Sequence, residues 1–217
     1  MLKFRQFLSE GTKPAKKKAK KDEKPKLKPT KAGSTMVMLF GKMNPPTHAH
    51  EKAIFQAQQH AEKLGAKLKV VVNHSDPNIA NPIDPKRKLK HLKTAFPDVD
   101  ISMSDPSTPT IIHHIRKANQ DGIRNIVVMG GGKKAGNYEK ILNGYNGREY
   151  RFETIKVQKL SHGAGHVSSE ELRNHAHDNN FDEFRRGLPE KLRGNFLYSR
   201  TIFQDVKRGL KPKKKDK

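Results

Sequence analysis

Three short apolar runs constrain this chain more than any other feature: "TMVMLF" at 35–40, "KVVV" at 69–72 and "NIVVMG" at 125–130. Each is shorter than an ordinary helix and lies between turn-forming residues, which is the pattern of a strand buried on both faces. The segments between them keep a different period. Residues 51–64 place Ile54, Ala57, Ala61 and Leu64 at helical spacing, and Gly65 ends that run. "KRKLKHLKTAF" predicts a basic amphipathic helix closed by Pro97, and a further helix is expected over roughly 109–120. "DVDISMS" reads as a weaker strand, "GREYRFETIKVQKL" as the last strand region, and a helix begins near Ser169 with two or three helical pieces after it. Strands alternating with helices in this way predict βαβ units, hence an α/β class and a parallel sheet.

Composition bears on the ends. The 217 residues have room for one ordinary domain with tails, and only 33 % of them are hydrophobic. The net charge of +23 is uneven: residues 11–33 hold ten lysines against Asp22 and Glu23, and residues 207–217 hold seven basic residues against Asp216. Such stretches, without aromatic residues, bury too little surface to offset the entropy of ordering, so both are expected to be disordered. They serve solubility or draw in nucleic acid by neutralising phosphates without reading sequence. The expected organisation is 1–10, a short amphipathic start; 11–33, a lysine-rich tail; 34–206, the folded domain; and 207–217, a basic tail. There is no cysteine, which excludes disulfide and thiolate chemistry. No secretory or membrane-spanning run is present, so no membrane partner is expected. The eleven histidines lack the helical i, i+4 pairing of a zinc protease, and no protein-held metal site is expected.

In parallel sheets ligands bind where loops leave the carboxyl ends of the strands. Four polar loops fall there: "GKMNPPTHAH", "NHSDPNIANP", "MGGGKK" and "SHGAGHVSSEELR". In the first, Gly41 allows a sharp turn off the strand, Pro45 and Pro46 stiffen the loop, and Thr47 is a natural N-cap with a hydroxyl left to donate. His50 then lies in the first helical turn, where unpaired N–H groups and the dipole favour an anion. A capped helix with a satisfied histidine fits the same residues. In the last loop, Ser168 and Ser169 precede Glu170 and Glu171 in a capping pattern, and Arg173 projects from the same helix start. Two hydroxyls, exposed N–H groups and a guanidinium suit a triphosphate, although any helix favours such a beginning.

Taken together, these motifs resemble the HxGH-type nucleotidyltransferase (cytidylyl/adenylyltransferase) superfamily, in particular its phage-encoded members. Residues 41–50, "GKMNPPTHAH", are similar to its "GRFNPPTxGH", and residues 168–173, "SSEELR", to its "S-[SGA]-[ST]-xx-R" helix start. Weaker similarity runs through "NPIDPKRKLKHLKTAFP", "LNGYNGREYRFETI" and "NNFDEFRRGLP", so the resemblance covers roughly residues 35–189. It implies a Rossmann-like fold and transfer of a nucleoside monophosphate from an NTP to a phosphate-bearing acceptor. Pyrophosphate leaves, with Mg²⁺ bridging the phosphates. It further implies that Thr47 and His50 meet the α- and β-phosphates and Lys42 adds charge. Phe40, Gly41, Asn44, Gly130, Gly131, Ser168, Ser169 and Arg173 would line the nucleotide. Departures are Ala49 for the family's glycine, lysines at 133 and 134 where relatives carry "GSDR", Ile79-Ala80 where relatives often have two lysines, and Glu170 for a hydroxyl residue. The alternative is a catalytically degenerate member acting as a basic, DNA-associated internal virion protein. Residues 1–10, "MLKFRQFLSE", resemble the capsid-targeting propeptides of T-even-like phages, cut after Leu-x-Glu by a prohead protease. That resemblance implies a virion interior, or host cytoplasm after delivery.

Overall fold

The computed structural model describes residues 34–131, 133–161 and 167–211. The expectations for residues 1–33 and 212–217, and for the loop at 162–166, lie outside them.

Five strands form one parallel sheet: β1 (Thr35–Gly41), β2 (Lys67–Val72), β3 (Ile101–Met103), β4 (Asn125–Gly131) and β5 (Thr154–Leu160). Their order is β3-β2-β1-β4-β5. Helices α1 (His48–Lys63), α2 (Pro85–Ala95), α3 (Ile111–Gln120) and α4 (Lys133–Tyr145) follow the first four strands in turn, and α5 (Ser169–His177), α6 (Phe181–Arg186), α7 (Glu190–Arg193) and α8 (Phe196–Leu210) follow the last. This is the expected α/β, Rossmann-like sheet flanked by helices.

Strand pleat sorts the apolar runs between two cores. Val37 and Leu39 of β1 and Val127 and Met129 of β4 join α1, α2 and the C-terminal helices on one face. Met38, Ile126 and Val128 point to the other face and meet Ile111, Ile115 and Leu142 of α3 and α4. Several of these side chains are wholly buried, each contributing about 1.5–3 kcal/mol relative to exposure. Leu64 departs from its expected place in the helical stripe. It is the C-cap of α1 and 46 % exposed, because Gly65 at φ 57 turns the chain off there.

The C-terminal boundary also shifts. Helix α8 runs to Leu210, into the segment 207–217, because its backbone is pressed against the loop before α2. A Cβ on Gly209 would lie 1.9 Å from the Pro82 carbonyl oxygen, so only glycine permits this approach.

Candidate active site

The chain leaves β1 toward α1 on one face, whereas it leaves β4, the other neighbour of β1, toward α4 on the opposite face. The loops after β1 and β4 therefore part and open a crevice at their carboxyl ends. Met129 is the last residue of β4 paired with β1, opposite Leu39. Gly130 and Gly131 thus continue beside Phe40 and Gly41 at the mouth.

Thr47 caps α1, accepting from the His50 backbone N–H at 3.4 Å, while the Thr47 backbone N–H donates to His50 Nδ1 at 3.1 Å. This reciprocal capping box has a histidine where glutamate is usual. It fixes the ring chemically. Nδ1 accepts from a backbone N–H, so the neutral imidazole carries its proton on Nε2 and presents that edge as a donor. The structure departs from the expected free hydroxyl of Thr47: Thr47 is fully buried, and Oγ1 lies 2.9 Å from His50 Nδ1 as part of the cap.

The second motif closes on the first. Ser168 is the N-cap of α5, accepting from the Glu171 N–H at 3.1 Å while its own N–H donates to Glu171 Oε2 at 2.6 Å. Ser169 Oγ donates to the Pro45 carbonyl at 2.7 Å, and Arg173 donates to the Asn44 carbonyl at 3.0 Å. The starts of α1 and α5 are thereby brought to one mouth, and the positive ends of their helix dipoles set positive potential there. Burial lowers the Arg173 pKa from its ordinary value, an effect opposed by the Glu170 carboxylate. Asn44, expected to line the nucleotide, is buried instead. Its amide bridges the loop to Ile83, donating to the carbonyl and accepting from the N–H, each at 3.1 Å.

A further cation escaped the sequence reading. Lys88 is fully buried and donates from Nζ to the Asn73 carbonyl, just past the end of β2, at 2.6 Å. Burial, reinforced by repulsion from Lys42, holds its pKa down to about 8. Lys42 is exposed and near enough to repel it, so one buried and one exposed ammonium group lie close together. A signal was available: within α2, Lys88 falls in phase with Pro85, Leu92 and Ala95, the positions that face the core. The expected basic amphipathic helix did not by itself say which of its lysines lies on the buried side.

Phe40 packs its ring against His114 with centroids 6.1 Å apart. Burial lowers the pKa of His114, and its Nε2 has no hydrogen-bond partner among the described residues. A Cβ on Gly130 would come within 3.3 Å of the Tyr138 ring, so the glycine lets α4 lie close to the strand end. Among the described residues no group of three or more His, Asp or Glu is placed to hold a metal ion.

No family model matches the sequence, and no curated protein does. Solved structures do. The bifunctional NMN adenylyltransferase/ADP ribose pyrophosphatase of Francisella tularensis aligns with a TM-score of 0.56 at 14 % identity, over 81 % of this chain and 53 % of that one. The same enzyme solved with AMP and a manganese ion aligns with a TM-score of 0.56 at 14 % identity, over 81 % of this chain and 52 % of that one. The nicotinic acid mononucleotide adenylyltransferase of Plasmodium falciparum, complexed with NaAD, aligns at 0.50 and 11 % identity, over 79 % of this chain and 96 % of that one.

The chain shares the Rossmann-like α/β fold of these adenylyltransferases. It spans about half the length of the Francisella enzyme, and at these identities the likeness is one of architecture. Within this fold, the Thr47–His50 box and the 168–173 segment occupy the carboxyl edge of the sheet, the edge on which parallel sheets bind ligands.

Proposed function

We propose that the protein is a nucleotidyltransferase that moves a nucleoside monophosphate from an NTP to a phosphate-bearing acceptor. The observation that carries this reading is the closure of Ser169 and Arg173 onto the loop whose next residues fix the His50 ring. An acceptor phosphate oxygen attacks the α-phosphorus; a new P–O bond forms, the bond to the β-phosphate bridging oxygen breaks, and pyrophosphate leaves with that oxygen. His50 Nε2–H donates to an α-phosphate oxygen as charge builds on it, with Thr47 holding the tautomer. Lys42 and Lys88 neutralise the polyphosphate, the second from a low-dielectric position where its charge is less screened. Helix α5 positions the loop, and Ser168, Ser169 and Arg173 also face the triphosphate. Phe40, Gly41, Gly130 and Gly131 flank the nucleotide. No covalent intermediate is needed, since positioning and electrostatics suffice for this chemistry. The divalent ion arrives as the magnesium salt of the NTP substrate, and no side chain of this protein is assigned to it.

A second reading, a protein that keeps the fold without turnover, draws on the engagement of Ser169 and Arg173 by loop carbonyls and on Ala49. One experiment separates the two. The protein is incubated with each labelled NTP, Mg²⁺ and a panel of phosphate-bearing acceptors, and pyrophosphate release is followed. Turnover abolished by His50→Ala supports the enzyme; no release across the panel supports the second reading.

The lysine-rich residues 11–33 and 212–217 belong to this proposal as sequence-independent nucleic-acid contacts, and residues 1–10 as a propeptide removed by a prohead protease on entry to a virion. Intact Met1 in virion-derived protein would count against that removal. Among the described residues no helix is long and apolar enough to cross a membrane.

A further inference from the structure

Away from the mouth, two hollows adjoin along the outer side of α8. One, of about 440 Å³, is bordered by Ile79, Asp84, Arg87, Arg208 and Lys211. The other, of about 380 Å³, is bordered by Arg87, Leu197, Arg200, Gln204 and Arg208. They share Arg87 and Arg208, with Asp205 at the floor, and so make one groove between α2 and α8.

Its charge is one-sided. Asp205 is buried and already contacted by Arg87 at 2.7 Å, by His91 at 2.9 Å and by Arg208 at 3.7 Å. It therefore orients the two arginines without cancelling them: the Arg87 side chain is 47 % exposed and that of Arg208 72 %. Arg200 is exposed, and its guanidinium lies 5.9 Å over the Phe181 ring. Helix α2 holds no acidic residue and turns Lys86, Lys90 and Lys93 outward. Asp84, at the near end, is the exposed acid of the groove. After Lys211 the sequence continues Pro-Lys-Lys-Lys-Asp-Lys.

We propose that this groove binds the phosphodiester backbone of a nucleic acid, as a site on the folded body distinct from the lysine-rich tails. Guanidinium groups held at fixed positions suit phosphate oxygens, because the planar fork reaches two of them at once. A concave cationic strip with open apolar contacts at its borders, Ile79 at 72 % exposed and Leu197 at 76 %, suits a strand whose bases stand away from its phosphates. An anionic membrane surface fits less well. An interfacial helix needs a continuous apolar face, and the outward face of α8 is polar from Arg200 through Thr201, Gln204 and Arg208 to Lys211. The groove shares no residue with the proposed catalytic mouth, so the inference stands whether or not the mouth turns over.

The test uses the full chain and a labelled 20-nucleotide single strand, with binding read by fluorescence anisotropy across a salt series. The triple variant Arg200→Gln, Arg208→Gln, Lys211→Gln is compared with the tail variant Lys213→Gln, Lys214→Gln, Lys215→Gln. Three lost phosphate contacts are expected to flatten the slope of log affinity against log salt by about 2 and to weaken binding roughly tenfold at moderate salt. Photo-crosslinks in the wild type are expected on residues 196–211. Gln204→Lys, which adds a cation to the same face, is expected to tighten binding and steepen the slope by about 0.7. It decides the matter should the triple variant melt early. An unchanged slope in both groove variants, crosslinks confined to residues 11–33 and 212–217, or groove-dependent binding seen only with phosphatidylserine vesicles, would each overturn the proposal.

Discussion

Arg173 donates to the carbonyl of Asn44 at 3.0 Å across 129 residues of sequence. The contact joins the two motifs, because Asn44 is bound on its other side to Ile83 and Ser169 holds the adjoining Pro45 carbonyl. One guanidinium therefore sets the position of the loop that leads into His50.

Replacing Arg173 by leucine is expected to cost about 1.5–3 kcal/mol, the range for a hydrogen bond from a charged donor. In a domain of this size that lowers Tm by roughly 3–12 °C. Thermal denaturation followed by circular dichroism measures it. Nucleotidyl transfer should fall with it, and Arg173→Lys should restore stability better than turnover, since an ammonium cannot replace the planar fork. Equal recovery of both would show that positive charge alone matters.

His50→Ala and Thr47→Val divide the capping box. Loss of the Thr47 hydroxyl should cost about 0.5–2 kcal/mol, as for other N-caps. Loss of the imidazole should lower kcat by on the order of 100-fold or more with a smaller change in KM, because its donor acts on charge that develops in the transition state. A His50→Ala enzyme with raised KM and unchanged kcat would place the ring in ground-state binding instead.

Lys88 provides a pH signature. Its folded pKa of about 8 lies below the ordinary value of 10.5, so the unfolded chain binds more protons between those limits and stability rises with pH across them. Below pH 8 the buried charge costs about 3 kcal/mol. Lys88→Met should accordingly be more stable than wild type at pH 7 in urea denaturation and should lose the rise between pH 8 and 10.5. A bound triphosphate favours the protonated amine, so wild-type NTP affinity should fall as pH passes 8. Calorimetric titration at pH 7 and 9 should show that fall in wild type and little of it in Lys88→Met.

Gly209→Ala tests the contact between α8 and the α2 loop. The added methyl would sit 1.9 Å from a carbonyl oxygen, so α8 must shift, at a cost of about 1–3 kcal/mol typical of overpacking. Because Pro82 precedes Ile83, the partner of Asn44, proteolytic susceptibility of the 41–50 loop should rise as well. Wild-type resistance in a destabilised Gly209→Ala protein would separate the two.

The α/β class, the five strands, the capping roles of Thr47 and Ser168 and the first-turn place of His50 were legible in the sequence. Each rests on local physics: apolar runs seek a sheet, and hydroxyl residues satisfy the first N–H groups of a helix wherever the chain puts them. The long-range contacts were not legible. That Asn44 bridges to Ile83 rather than facing outward, that Ser169 and Arg173 grip the loop at 44–45, and that Lys88 lies buried close to Lys42 all follow from how α2 and α5 pack on one face of the sheet. Residue spacing determines which face of a helix a side chain occupies, but only the folded chain decides what that face meets.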